Sequence, residues 1–335
     1  MAKTAVVLFN LGGPDGPAAV EPFLFNLFFD PAIIGLPWPL RWLVAKLISR
    51  RRAPVARAIY DRIGGRSPLV PETLAQAQAL SGVLGPDYRV VVAMRYWHPF
   101  SDAAAAEIKA WGAERVILLP LYPQFSTTTT GSSLGEWQRA AKAAGLTATT
   151  ETICCYPTER GLVTAIVDKL TDAHAEAERS GAVRVLFSAH GLPQKIVDRG
   201  DPYPLHINQT AAAVVAASGL AHLDWVVCYQ SRVGPLQWIG PSLEDELRRA
   251  GRDKVAVVVV PIAFVSEHSE TLVELDMEYR HHAAEWGVTT YVRVPAVGCH
   301  PAFIAGLAAL VRAPGPTRGR ACQAIGQTCA CRALT

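Results

Sequence analysis

Long apolar runs are missing from this 335-residue chain, and none reaches bilayer-spanning length, so it is not expected to be integral to a membrane. Charge is sparse too, at 18% of residues with a net of +3. No dense basic stripe interleaves with aromatics, which argues against nucleic acid as the main partner. The seven cysteines are an odd number. They follow no secretion signal, because Met1 to Asn10 holds one Lys and a short apolar run closed by a Gly-Gly-Pro turn, and reads as a first strand. That points to a reducing, cytoplasmic setting, where clustered thiols more often mean metal than disulfide. Nucleotide motifs are incomplete. Asn10-Leu-Gly-Gly-Pro14 lacks a full Gly-x-Gly-x-x-Gly, and Gln124 to Ser133 could cradle phosphate through hydroxyls and amides but lacks the P-loop lysine.

Half of the residues are apolar, enough for a substantial core, and the length suits two domains of ordinary size. Short β-branched runs alternate with Ala/Leu/Glu/Arg-rich segments of helical period, the signature of βαβ units. Strands are predicted at Ala5 to Asn10, Val90 to Arg95, Arg115 to Leu121 and Ala148 to Ile153. A second set of four is predicted at Arg184 to Ala189, Trp225 to Gln230, Lys254 to Ala263 and Thr289 to Val294, after a long helical connection from Glu159 to Ser180. The expected fold is α/β, two similar doubly wound domains facing each other across a cleft, each a four-stranded parallel sheet flanked by helices. Its parts are residues 1–155, residues 156–312, and a tail at 313–335 that opens on a Pro/Gly linker and carries cysteines.

Chemistry concentrates after the apolar run Val255 to Val260. There Glu267, Glu270 and Glu274 are spaced to share one face of a helix, with His268 and Asp276 flanking them. Carboxylates this close raise one another's proton affinity and can relay protons or pass a divalent cation. A solvated acidic face is the commoner fate of such residues. The position after a buried strand favours a site, because open α/β sheets bind ligands at the carboxyl ends of their strands. Val185-Leu-Phe-Ser-Ala-His-Gly-Leu-Pro193 runs a second buried strand into His190, a residue able to act as base or metal ligand, although a lone histidine is often structural. Arg95-Tyr96 and the Gly/Pro loop holding Arg232 and Trp238 would supply a flat, apolar pocket with a polar rim; Trp97 and Trp225 are expected to pack in the core. Leu36 to Arg52 is amphipathic if helical, with a stripe of Leu40, Leu43, Val44, Leu47 and Ile48 leading to Arg50, Arg51 and Arg52. A packed surface helix would show the same stripe, but two nearby tryptophans and the arginines favour contact with an anionic membrane surface.

These residues resemble the ferrochelatases, which insert ferrous iron into a porphyrin at the end of haem synthesis. The resemblance covers nearly the whole chain and is carried by Asn10 to Pro14, Arg62-Ile-Gly-Gly-Arg-Ser-Pro68, Arg95-Tyr96, Phe125 to Gly131 and Ser188-Ala-His190. Arg199-Gly-Asp-Pro-Tyr-Pro204, Gln230-Ser231, Trp238-Ile-Gly-Pro241 and the acidic helix complete it. It implies a chelatase-like fold, with His190 and Glu270 as the catalytic pair and ligands of substrate iron, and with Glu274 and His268 behind them. It also implies that Leu11, Arg95, Tyr96, Trp238 and Phe264 line the porphyrin site. Gly191 stands where many relatives have Ser, and Glu267 where many have Asp. Leu11-Gly-Gly-Pro14 in place of a Tyr-Gly-Thr-Pro pattern implies protoporphyrin IX rather than coproporphyrin III as substrate. Another tetrapyrrole metal chelatase is the enzymatic alternative, and a porphyrin or haem carrier the non-enzymatic one. A cytoplasmic protein held peripherally at the inner membrane would suit so insoluble a ring, and a homodimer is one option for its assembly.

Cys322, Cys329 and Cys331 could converge on one metal centre. A 2Fe-2S cluster needs a fourth thiolate from the body of the chain, and Cys155 is the candidate, with its neighbour Cys154 as the alternative. The tail resembles the cluster-bearing ending of some bacterial ferrochelatases; structural zinc is the main alternative.

Overall fold

The computed structural model describes residues 3–232, 234 and 236–313. The chain divides into two compact units, Met1–Cys155 with the end of the last helix from Leu307, and Tyr156–Gly306.

The first unit is built on β1 (Thr4–Asn10), β2 (Tyr88–Met94), β3 (Arg115–Pro120) and β4 (Thr149–Thr152), all parallel, in the order β2-β1-β3-β4. The second repeats that order with β5 (Val183–His190), β6 (Asp224–Gln230), β7 (Ala256–Pro261) and β8 (Tyr291–Arg293), arranged β6-β5-β7-β8. All eight predicted strands are present, and the identical orders give the chain an internal symmetry of topology. The inner strands carry apolar runs because both faces are covered: every residue of β1 and of β7 is buried.

Each sheet carries its own core. Val7, Phe9, Ile108 and Trp137 are among the buried residues of the first, and Leu186, Val257, Leu247 and Leu275 among those of the second. Trp225 departs from expectation: it lies at the start of β6, 36% exposed, with its ring edge-on to Phe187. Helix Trp38–Asp61 contains the amphipathic segment. It buries the small residues Ala45, Ser49 and Ala53, four apart, and turns Leu43 (59% exposed) and Leu47 (63%) outward. Small side chains let one helix approach another closely, and this helix packs on Val20–Phe28. The apolar stripe therefore remains uncovered. No helix among the described residues is long and apolar enough to cross a membrane.

Candidate active site

In the second unit the chain leaves β5 toward β6 on one side and later adds β7 on the other, so β5 and β7 flank the point where strand order reverses. Ligands of such sheets bind there, beyond the carboxyl ends of the strands. His190 is the last residue of β5, in register with Gln230 at the end of β6. Gly191 follows in a close fit. A Cβ there would lie 3.0 Å from the Gln230 carbonyl and 3.3 Å from the Trp238 ring. The backbone beside His190 is held by Gly191 N–H to Gln230 O (2.9 Å) and by a hydrogen bond shared with the Tyr203 hydroxyl.

β7 ends at Pro261 and leads into a π-helix, Glu270–Tyr279. It delivers Glu270 to His190, with 3.0 Å between Oε2 and Nδ1, and the side chains are 28% and 40% exposed. His268 Nε2 stands 3.7 Å from the same carboxylate oxygen, and its ring packs on Phe264 at 4.4 Å between centroids. His268 is 7% exposed and its Nδ1 has no hydrogen-bond partner among the described residues. Glu274 follows four residues on, accepting from Ser231 N–H (2.9 Å), Ser231 Oγ (2.5 Å) and Gln230 Nε2 (3.1 Å).

These contacts pull the three groups apart in acidity. Desolvation alone would raise the Glu270 pKa, but the His190 charge and hydrogen bond, with help from His268, hold it well below the usual carboxylate range. For His190, desolvation works against protonation and is outweighed by Glu270, so its pKa is raised. Desolvation and then the neighbouring Glu270 charge raise that of Glu274. Three groups whose proton affinities are pulled in different directions thus stand in sequence, a set that can take up and pass on protons or receive a cation.

The predicted ladder is corrected in one member. The helix is of the i→i+5 kind, so residues four and five apart share a face instead of three and four. Glu270, Glu274 and Glu278 follow one another, while Glu267 precedes the helix and is spent on Arg293, at 2.9 and 3.1 Å. Asp276 is also bound by Arg293, at 2.8 Å. Two open grooves of about 400 and 450 Å³ meet at Glu274. Trp238 and Arg232 line the first; Glu278, His282 and Glu285 line the second. Sequence reasoning passed over Glu278, Gln230, Ser231 and Tyr203 as site residues. The last three lie in motifs whose chemistry was not read, and a π-period would have found the first.

Leu11, Arg95 and Tyr96 belong to the first unit and are brought together there. Arg95 binds Asp30 Oδ2 (2.9 Å) and Ser132 Oγ (2.6 Å). Tyr96, 1% exposed, donates its hydroxyl to Asp30 at 2.7 Å, and its N–H to Leu11 O at 2.9 Å. Ser132 also donates to Asp30. The hydroxyl-rich segment therefore has an anion of its own chain beside it, which replaces the phosphate reading. In the Asn10-Leu-Gly-Gly-Pro14 motif, Gly12 has φ +85°, and a Cβ on Gly13 would lie 2.4 Å from Ser67 Oγ. The glycines serve a tight turn.

Cys154 and Cys155 follow β4 in the buried core of the first unit. Cys322, Cys329 and Cys331 lie outside the described residues. Among the described residues no three His, Cys, Asp or Glu side chains are placed to hold a metal ion.

The fold is that of the chelatases. SirB from Bacillus subtilis, solved with Fe3+, is similar with a TM-score of 0.58 over 98% of this chain and 99% of its own, and the sirohydrochlorin chelatase SirB from Bacillus subtilis subspecies spizizenii, in complex with cobalt, with 0.53 over 95% and 97%. Both are 13% identical, so the likeness speaks for architecture alone. Sequence goes further. The Ferrochelatase family profile matches residues 3–314, and ferrochelatases of Caulobacter vibrioides and Phenylobacterium zucineum are each 52% identical over 98% of this chain and 98% of theirs. The chain belongs to the ferrochelatase family. It is a metal chelatase, and its reaction is the insertion of iron into a porphyrin for haem synthesis.

Proposed function

We propose that the porphyrin is protoporphyrin IX and that His190, Glu270 and Glu274 carry away its two pyrrole protons as ferrous iron replaces them. The observation that supports this most is the 3.0 Å His190–Glu270 pair with Glu274 behind it, three groups of divergent proton affinity at a strand-order reversal. Insertion exchanges one Fe2+ for two protons. A divalent cation arriving at the pair lowers the proton affinity of both groups. The His190 proton is then released by way of Glu270 and Glu274 toward the acidic groove, and the freed imidazole accepts from the pyrrole nitrogens. Imidazole and carboxylate suit ferrous iron and bind it weakly enough to give it up. Arg95, Tyr96, Leu11, Trp238 and Phe264 are proposed to position the ring, with Tyr96 acting through Asp30 and Arg95 since its own side chain is buried. Leu11 beside Gly12-Gly13 favours protoporphyrin over coproporphyrin III.

Two finer features belong to this reading. The outward-facing Trp38, Leu40, Trp42, Leu43 and Leu47, with Arg50 to Arg52 following, form a lip for the inner membrane surface. A 2Fe-2S cluster is proposed on Cys155 (or Cys154), Cys322, Cys329 and Cys331, from their number and spacing. Cys155 is buried and Cys154 is engaged in a disulfide, which favours Cys155 as the fourth ligand of the proposed cluster. Such a cluster would brace the fold or sense redox state rather than perform insertion.

The deciding assay is anaerobic metalloporphyrin formation with ferrous iron, comparing protoporphyrin IX with coproporphyrin III. A kcat/KM at least about tenfold higher for protoporphyrin, some 1.4 kcal/mol of discrimination, is expected. Preference for coproporphyrin III would overturn the substrate assignment.

A further inference from the structure

A ten-residue π-helix is unusual, because π geometry ordinarily occurs as a single turn inside an α-helix. Something must hold Glu270–Tyr279 in that register. Two side chains of the edge strand β8 reach it, and being two residues apart they share a strand face. Tyr291 donates its hydroxyl to the Leu275 carbonyl at 2.7 Å. Arg293, with 8% of its side chain exposed, binds Asp276 Oδ2 through Nε at 2.8 Å and Glu267 through Nη1 at 2.9 and 3.1 Å. Arg280 closes the arrangement, reaching Asp276 Oδ1 and the Tyr291 carbonyl, both at 2.7 Å. Glu267 is fixed in turn by Ala296 N–H (2.9 Å) and by Thr271 Oγ1.

The chain is thus pinned at Glu267, before the helix, and at Leu275 and Asp276 within it. Between the pins lie Glu270 and Glu274. An i→i+5 helix packs more residues into each turn than an α-helix does, so the same residues span a shorter distance. Relaxing to α geometry would lengthen the segment, break one set of pins, and rotate Glu274 relative to Glu270.

We infer that β8 is a brace for the π-helix, with Arg293 as the positioning residue that keeps Glu270 and Glu274 aligned with His190 and Tyr291 as its second contact. The inference rests on the reading of His190, Glu270 and Glu274 as the proton-handling site. The opposing view is that Arg293 merely neutralises two partly buried carboxylates.

Steady-state iron insertion by the full-length protein separates them. Arg293→Met should lower kcat by about 10–100-fold, the scale of an ångström-sized misplacement, with KM for the porphyrin within about threefold. Arg293→Lys should recover part of the loss. Glu267→Gln with Asp276→Asn and Arg293→Met removes the charges together, which proteins commonly tolerate in stability; it should regain the native melting temperature while kcat stays low. Native kcat in that triple variant would overturn the brace and leave charge neutralisation. Should Arg293→Met fail to fold, Tyr291→Phe keeps the test: a kcat reduced by about 3–10-fold with native folding is expected, and an unaltered kcat sinks the idea. A His190→Ala variant run alongside isolates the underlying reading. Retained turnover there refutes the site itself, whereas loss there with normal turnover in every β8 variant refutes the brace alone.

Discussion

Replacing Glu270 by Gln preserves shape and hydrogen-bonding capacity but deletes the charge on which the proposed proton path depends. The native carboxylate lies 3.0 Å from His190 and 3.7 Å from His268, and its charge raises proton affinity on both sides, in His190 and in Glu274. A positioned acid–base group contributes about 10²–10⁴-fold to rate, or about 3–5 kcal/mol of barrier. Turnover of Glu270→Gln should fall by that factor in the anaerobic assay. KM for the porphyrin should change less than about threefold, since ring-holding groups are untouched. Proton NMR of the His190 imidazole gives an independent check, with the titration midpoint moving down once the carboxylate is gone. Stability follows with a definite sign. The raised pKa of His190 gives stability present at low pH and lost as pH rises through its folded value. The depressed pKa of Glu270 gives stability present above the ordinary carboxylate range and lost on acidification. The pair therefore stabilises the window between those limits, and the variant should lose stability chiefly there. Turnover within about threefold of the native protein, or an upward shift of the His190 midpoint, would refute the reasoning.

Leu43→Glu with Leu47→Glu should abolish sedimentation with anionic vesicles and leave the melting temperature near native, because both side chains are already exposed; equal vesicle binding would count against the lip. Purified protein should be reddish, with visible charge-transfer absorption and acid-labile sulphide. Stoichiometric zinc without sulphide would overturn the cluster, and a full visible spectrum in Cys329→Ser would overturn the ligand set. Asp30→Asn leaves the half-buried Arg95 without its buried counter-charge and should cost up to about 3 kcal/mol in urea unfolding; an unmoved midpoint would mean that the 2.9 Å pair contributes little.

The sheets were legible because parallel strands covered on both faces read as near-continuous apolar runs, a pattern that even the short stretches at Ala5 to Phe9 and Val255 to Val260 carry. His190 and Glu270 were legible for a related reason: each follows such a run closely, and topology places the ends of β5 and β7 side by side. The outward stripe of Trp38–Asp61 was harder to read. An amphipathic pattern tells which face is apolar but not which face is buried. Here the contact surface is Ala45, Ser49 and Ala53, residues whose small volume rather than hydrophobicity selects them.

The acid ladder shows where periodicity itself misleads. Read with an α-helical spacing, Glu267, Glu270 and Glu274 form a natural trio, and Glu278 falls outside it. The π-helix reassigns them, and the cause lies 16 to 26 residues downstream. Tyr291 and Arg293 claim the Leu275 carbonyl, Asp276 and Glu267, and what remains facing His190 is Glu270 with Glu274 behind it. Helical period is a local property only when nothing outside the helix grips it. In this chain the edge strand of the sheet does, so the identity of the site's carboxylates depends on a tertiary contact that no window of sequence around them contains.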